Sequence, residues 1–194
     1  MVNSPVLRAP REVWLQHALV QLDKIVPTEY ERPKMMYVSV GWPRGARKNT
    51  IGQCFPPTMS ADGGTHGFIS PVLDDPIEVL ATLLHEWGHA VVGCEHGHRK
   101  PFIKFCKDVG LVKPWTATTP SDGLKERLTQ VVSNLGPYPH EKLTSMGGGK
   151  KQTTRMRLYM CPGCDQKIRA ATDFLSVTCD ECQVGFLLKQ GGNE

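Results

Sequence analysis

The sequence predicts an α+β fold in which a small antiparallel sheet packs on one central helix, followed by a separate C-terminal β module. Three observations predict it: short β-rich segments divided by turn residues, longer segments with apolar residues at helical spacing, and two Cys-x-x-Cys pairs near the C-terminus. The 194 residues suffice for one domain and a small extra module. A hydrophobic fraction of 40%, before glycine is counted, is ordinary for a globular protein and excludes wholesale disorder.

The N-terminal part predicts one helix and three strands. Residues 11–25 place apolar side chains near helical spacing, and Pro27 ends the run. Three β-rich segments follow at residues 36–40, 51–55 and 65–70, separated by loops and turn sequence. Short strands joined by loops predict an antiparallel meander.

Three more helices are expected. The first begins at Pro76 after the N-cap residue Asp75 and ends before Gly93, and Gly88 inside it indicates close packing against a neighbour. The other two cover residues 101–109 and 121–135, each followed by a glycine.

The predicted domains are residues 1–140, a basic glycine-rich linker at residues 141–154, and the C-terminal module at residues 155–194. The net charge is only +4, but basic residues are concentrated around the linker. No segment reaches the roughly 18 apolar residues of a membrane span. The N-terminal residues do not suit a secretory signal, so we expect a cytoplasmic protein without a membrane partner.

The long central helix carries a His-Glu-x-x-His motif at residues 85–89. Because residues four apart lie on one face of a helix, His85 and His89 can bind one zinc ion. Glu86 then lies where a general base would act on water. The alternative is that the two histidines bind no metal and have their hydrogen-bonding groups satisfied within the packed helix, and that Glu86 is a surface residue.

A catalytic zinc site of this kind needs a third protein ligand. A longer motif with a histidine at position 95 is absent, because this residue is Glu95. His96 and His98 are the other candidates, since Gly93 and Gly97 allow the chain to turn back towards the helix.

The segment HEWGHAVVGCEHGHRKPF resembles the SprT-like metalloprotease family, which includes the Spartan proteases that degrade proteins crosslinked to DNA. The family pattern is His-Glu-x-x-His, a short turn, and then His-Gly-x-x-Phe. Alignment through Phe102 implies that His98 is the third ligand, although Arg99 stands where glycine is usual. The segments VSVGWPRGARKNTIGQCF, FISPVLDDPIEVLATLLHE, LGPYPH and KKQTTRM look like the bacteriophage and prophage members with a C-terminal zinc ribbon.

This resemblance implies a zinc metallopeptidase that acts on DNA-associated or DNA-crosslinked proteins, in the host cytoplasm if the protein is phage-encoded. The edge of the short sheet, at residues 65–70, is expected to hold the substrate as an added strand. The alternative is a non-catalytic zinc-containing protein that binds DNA or assists transcription.

The two Cys-x-x-Cys pairs, formed by Cys161 with Cys164 and Cys179 with Cys182, have the spacing of a zinc ribbon. Four thiolates close a tetrahedral site, so this zinc is expected to be structural and brings the total to two Zn²⁺. A redox pair is the rival interpretation. The scattered Cys54, Cys94 and Cys106 are expected to be small buried apolar residues.

Basic residues around the linker and the predicted ribbon suggest a DNA contact. Tyr159 and Phe174 could stack on bases, and the alternative is a solvated face. The candidates are Lys150, Lys151, Arg155, Arg157, Lys167 and Arg169.

Overall fold

The structure, a computed structural model, describes residues 10–42, 50–144 and 156–189. Within these ranges the chain is α+β, with four α-helices and eight strands. It divides after Thr144 into a first unit and a C-terminal unit. No helix in the described ranges is both long and apolar enough to cross a membrane.

The four predicted helices are confirmed, with ends that differ from the prediction by two residues at most. They are α1 (Arg11–Asp23), α2 (Pro76–Val92), α3 (Lys100–Val109) and α4 (Asp122–Leu135). The first unit also contains β1 (Met36–Val40), β2 (Gly52–Phe55), β3 (Thr65–Ile69), β4 (Leu111–Val112) and β5 (Thr119–Pro120). The C-terminal unit contains β6 (Arg157–Met160), β7 (Lys167–Ala170) and β8 (Leu187–Leu188).

The helix ends follow from local capping. The Asp75 carboxylate accepts a hydrogen bond from the Glu78 backbone N–H (2.8 Å) at the start of α2, and the Ser121 hydroxyl accepts one from the Leu124 N–H (3.3 Å) at the start of α4. Such caps satisfy N–H groups that have no partner inside the helix.

The predicted antiparallel meander is wrong. The strand order is β1-β3-β2, with β1 parallel and β2 antiparallel to β3. The long connection between β1 and β3, residues 41–64, lets the chain cross over, which parallel pairing requires. Consequently residues 65–70 are not at an edge: β3 is hydrogen-bonded on both sides, and β1 and β2 are the edges.

Helix α2 is central to the first unit and buries every residue from Val79 to His89. A Cβ added to Gly88 would lie 2.6 Å from Phe105 Cδ1 and 3.1 Å from Phe102 Cε2, both on α3. The predicted close packing at Gly88 is therefore confirmed, because no larger residue fits between the two helices as they stand.

The first unit extends beyond residue 140. The Leu143 N–H donates to the Pro71 carbonyl (2.8 Å), and Lys142 Nζ lies 3.7 Å from an Asp74 carboxylate oxygen. Residues 141–144, expected to begin the linker, are thus attached to the first unit. The rest of the predicted linker, residues 145–154, lies outside the described residues.

In the C-terminal unit, β6 lies between β7 and β8 in a three-stranded antiparallel sheet. Among its described residues, 156–189, the hydrophobic cluster has four buried members: Tyr159, Cys161, Cys179 and Phe186. A core of this size is too small to stabilise an independent unit without a further constraint.

Candidate metal centres

Three imidazoles converge beside α2. His98 Nε2 lies 3.2 Å from His85 Nε2 and 3.3 Å from His89 Nε2. His85 and His89 are one helical turn apart and both are buried, whereas His98 reaches them from the segment before α3 and lies nearer to solvent. The three side chains can each offer one ligand atom to a single metal ion.

The segment after α2 brings His98 to this position. Gly93 (φ 95°) ends α2, a 3-10 helix covers Cys94–His96, and Gly97 (φ 48°) turns the chain again. Positive φ at both positions favours glycine. Phe102, fully buried in the first turns of α3, stacks on the His89 ring at a centroid distance of 4.0 Å and contacts the His98 ring at 5.2 Å.

The other two candidate third ligands lie outside the group. The His96 and Glu95 side chains are 44% and 73% exposed, and His96 Nε2 lies 3.8 Å from a Glu95 carboxylate oxygen. Neither belongs to the convergent set.

The electrostatic surroundings keep the histidines neutral. Burial, together with the His89 and His98 imidazoles, lowers the pKa of His85 to about 3. Burial and His98 lower the pKa of His89 to about 4, and burial also lowers the pKa of His98. A neutral imidazole has a free lone pair, which is the form that binds a metal.

Thr118, which precedes β5, is a site residue that the sequence analysis missed. Its hydroxyl oxygen lies 2.8 Å from His85 Nδ1. With the proton on Nδ1, His85 donates to Thr118 and its Nε2 lone pair faces the other two rings. No sequence signal marks Thr118, because the contact is made between segments that are 33 residues apart.

Glu86 is 4% exposed and lies against β2. A Cβ added to Gly52 would overlap Glu86 Oε1, so this strand passes directly over the carboxylate. Burial, with a smaller contribution from Cys94, raises the pKa of Glu86 to about 8.

The three histidines and Glu86 line one open cavity of about 590 Å³. Residues 50–54, helix α2 and residues 116–118 line this cavity, together with Cys94 and His98. The volume falls in the range of small-molecule and peptide side-chain pockets. The cavity therefore gives a ligand access to the carboxylate and the imidazoles together.

Four thiols form the second group. The sulfur atoms of Cys161, Cys164, Cys179 and Cys182 all lie within 4.8 Å of one another. Burial raises the pKa of Cys161, but backbone N–H groups of Gly163 and Cys164 lower it to a net value of about 7. Four convergent thiols with this spacing are a suitable donor set for Zn²⁺.

The two Cys-x-x-Cys segments adopt the same turn. The Asp165 N–H donates to the Cys161 carbonyl (3.1 Å), and the Gln183 N–H donates to the Cys179 carbonyl (2.8 Å). Asp165 and Gln183 are also the two described non-glycine residues with positive φ, at 57° and 55°. This repetition directs two thiols from each turn to one point.

The predicted DNA-contacting residues are only partly described. Lys150, Lys151 and Arg155 lie outside the described residues. Arg157 pairs with Asp173 and donates to the Ala171 carbonyl (3.0 Å), so it is engaged within the C-terminal unit. Lys167 and Arg169 are exposed on one face of β7.

The two aromatic residues that were expected to stack on bases differ in their exposure to solvent. Tyr159 is 3% exposed and its hydroxyl donates to the Thr172 carbonyl (3.0 Å), so its expected stacking role is wrong: the ring belongs to the small core. Phe174 is 78% exposed and remains accessible.

The three scattered cysteines do not share one environment. Cys106 is fully buried, as expected. Cys54 and Cys94 are half-buried and their sulfur atoms lie 3.2 Å apart, which the sequence did not indicate.

Comparisons of the chain with protein-family models, curated proteins and solved structures yield no match.

Proposed function

We propose that this chain is a zinc-dependent metallopeptidase of the SprT-like type, which hydrolyses peptide bonds in proteins bound or crosslinked to DNA. The observation that carries the proposal is the convergence of His85, His89 and His98 beside the Glu86 carboxylate in one open cavity.

The three histidines would hold the catalytic zinc through Nε2. Three neutral imidazoles suit this role because they leave a fourth position free for substrate chemistry. When bound, zinc supplies a Lewis acid that polarises the scissile carbonyl and activates water for attack.

Glu86 acts as the general base. Its carboxylate takes a proton from the attacking water and passes this proton to the leaving amine. The side chain is adjacent to His85 on α2 and opens on the same cavity. A purely structural metal site has no need of a carboxylate at this position, which favours catalysis over a structural role.

The substrate adds to β2 as an extra strand. β2 is an edge of the sheet and forms a wall of the cavity, so an extended peptide paired with it would pass the histidines and Glu86. This proposal replaces the expected role of residues 65–70, which are inside the sheet.

The four cysteines would hold a second, structural zinc and close a zinc ribbon. Four thiolates leave no position for substrate. The small core of the C-terminal unit and the repeated turns support this role, since a bound metal would supply the missing stability.

DNA is the proposed partner because Lys167 and Arg169 are exposed on one face and Phe174 is accessible in the same unit. The resemblance to SprT-like proteases supports the same partner and a cytoplasmic location, in the host if the gene belongs to a phage.

The test uses the zinc-loaded full chain with a protein crosslinked to single-stranded DNA, and with the same protein free of DNA. We expect fragments from the crosslinked protein with the parent and none with Glu86→Gln. The runner-up is a non-catalytic zinc protein that binds DNA or assists transcription. It would be supported if the zinc-loaded parent binds the DNA and cleaves neither substrate.

A further inference from the structure

Two cysteines outside both metal centres face each other in the wall of the cavity. Cys54 lies in β2 and Cys94 in the 3-10 helix after α2, and their sulfur atoms are 3.2 Å apart. They are 40 residues apart in sequence, so tertiary structure creates the pair. Neither belongs to the histidine group or to the four-cysteine group.

A small oxidant can reach this pair. Both cysteines are half-buried and both line the open cavity, whereas Cys106 is fully buried on α3. The hydrogen bond with Cys54 lowers the pKa of Cys94, so the Cys94 sulfur is the better nucleophile of the two.

We propose that Cys54 and Cys94 are a redox-active dithiol, a modification site for peroxides that closes reversibly to a disulfide across the cavity wall.

The reaction with hydrogen peroxide balances in two steps. The Cys94 sulfur attacks one peroxide oxygen, so an S–O bond forms, the O–O bond breaks and water leaves after protonation. The Cys54 sulfur then attacks Cys94, so the S–S bond forms, the S–O bond breaks and a second water leaves. Two thiols are oxidised and one peroxide is reduced. A dithiol such as dithiothreitol reverses the change by thiol–disulfide exchange.

The closure needs a short movement. The sulfur atoms must approach from 3.2 Å to about 2.05 Å. Gly93 and Gly97 flank the 3-10 helix that carries Cys94, and both have positive φ, so the turn can adjust at its two ends.

Closure would change the site itself. Cys54 lies two residues after Gly52, on the same face of β2, and Gly52 already touches the Glu86 carboxylate. Cys94 lies in the turn that leads to His98. Drawing these segments together displaces the wall beside Glu86, so we expect peptide hydrolysis to fall by about 100-fold, the scale of a 1 Å displacement. This second effect rests on the proposed function.

The experiment oxidises the zinc-loaded full chain with hydrogen peroxide and maps the peptides without reduction. Trypsin would leave both cysteines in one peptide, residues 49–99, so cleavage after glutamate is used, which separates them at Glu78 and Glu86. Cys54→Ala removes the pair, and Cys106→Ala is the matched control. Hydrolysis of an unfolded protein is measured before oxidation, after oxidation and after dithiothreitol.

We expect a linked peptide containing Cys54 and Cys94, two hydrogens lighter than its parts, in the parent and in Cys106→Ala. Dithiothreitol should abolish the link and restore hydrolysis. Oxidation of the four-cysteine group and the resulting zinc loss affect all variants equally. The loss of hydrolysis that is due to the Cys54–Cys94 disulfide is therefore the loss in the parent minus the loss in Cys54→Ala.

The proposal is overturned if no linked peptide forms. Its effect on activity is overturned if oxidised Cys54→Ala loses as much activity as the oxidised parent. If the reduced parent hydrolyses nothing, the proposed function fails, and the linked peptide alone decides whether the dithiol exists.

Discussion

Gly52 lies directly against the carboxylate of Glu86, with no room for a single additional carbon. A Cβ at residue 52 would overlap Glu86 Oε1 and would lie 2.7 Å from Thr82 Cγ2. The close contact therefore fixes the position of the Glu86 side chain relative to β2. Any side chain at residue 52 must displace the strand, the carboxylate or both.

Gly52→Ala should lower peptide hydrolysis by about 100-fold, because displacement of Glu86 or β2 by about 1 Å misaligns the reacting groups. Zinc content should be unchanged, since the three atoms nearest to the added carbon belong to Glu86 and Thr82 and not to a histidine. Gly123→Ala on α4 is the matched control, because a Cβ there meets nothing within 4 Å. Equal rates for Gly52→Ala and this control would show that the contact has no catalytic consequence.

His98→Ala should reduce the zinc content from two ions to about one per chain and abolish hydrolysis. His96→Ala should leave both unchanged, because the His96 side chain is 44% exposed and lies outside the group of three histidines. Elemental analysis after dialysis measures the zinc, and hydrolysis is measured on the same samples. Zinc loss in His96→Ala with retention in His98→Ala would mean that the third ligand is misassigned.

Thr118→Val removes the hydroxyl beside His85 Nδ1 but keeps the shape of the side chain. We expect the affinity for the catalytic zinc to fall about 10- to 100-fold, because the partner of the second ring nitrogen orients a metal-binding histidine. Thr116→Val, in the same wall of the cavity, is the control. Competition with a chromogenic chelator gives the two affinities, and indistinguishable values would remove Thr118 from the site.

The helices were predictable because their signals are local. Asp75 and Ser121 cap α2 and α4, and Gly93, Gly110 and Gly136 follow α2, α3 and α4. The residues of the candidate metal centres could also be predicted from the sequence, since two histidines four residues apart and two Cys-x-x-Cys pairs are recognised by their spacing.

Contacts between distant segments were not predictable. The central place of β3 depends on a crossover rather than on its own sequence. Thr118 and the pair of Cys54 with Cys94 are brought together by the tertiary fold, and no periodicity marks them. The predicted base-stacking role of Tyr159 was wrong because its ring is buried in the small core. An aromatic residue in a short strand can face the core or the solvent, and a shift of the strand register by one residue exchanges the two faces.

Replacing both Cys161 and Cys164 by serine should release one zinc and unfold the C-terminal unit, because only four of its described residues form a buried core. The first unit should keep its catalytic zinc and its thermal transition. Limited proteolysis followed by mass spectrometry locates the unfolded segment. A C-terminal unit that resists proteolysis without its zinc would contradict a structural metal.

The most direct test of the central claim is the rate of peptide hydrolysis by Glu86→Gln at equal zinc content. The variant keeps the size of the side chain and all three histidines, but it removes the proton acceptor. We predict two zinc ions per chain in both proteins and a rate lower by about 10²- to 10⁴-fold in the variant. A variant that holds the same zinc and cleaves as fast as the parent would contradict the account.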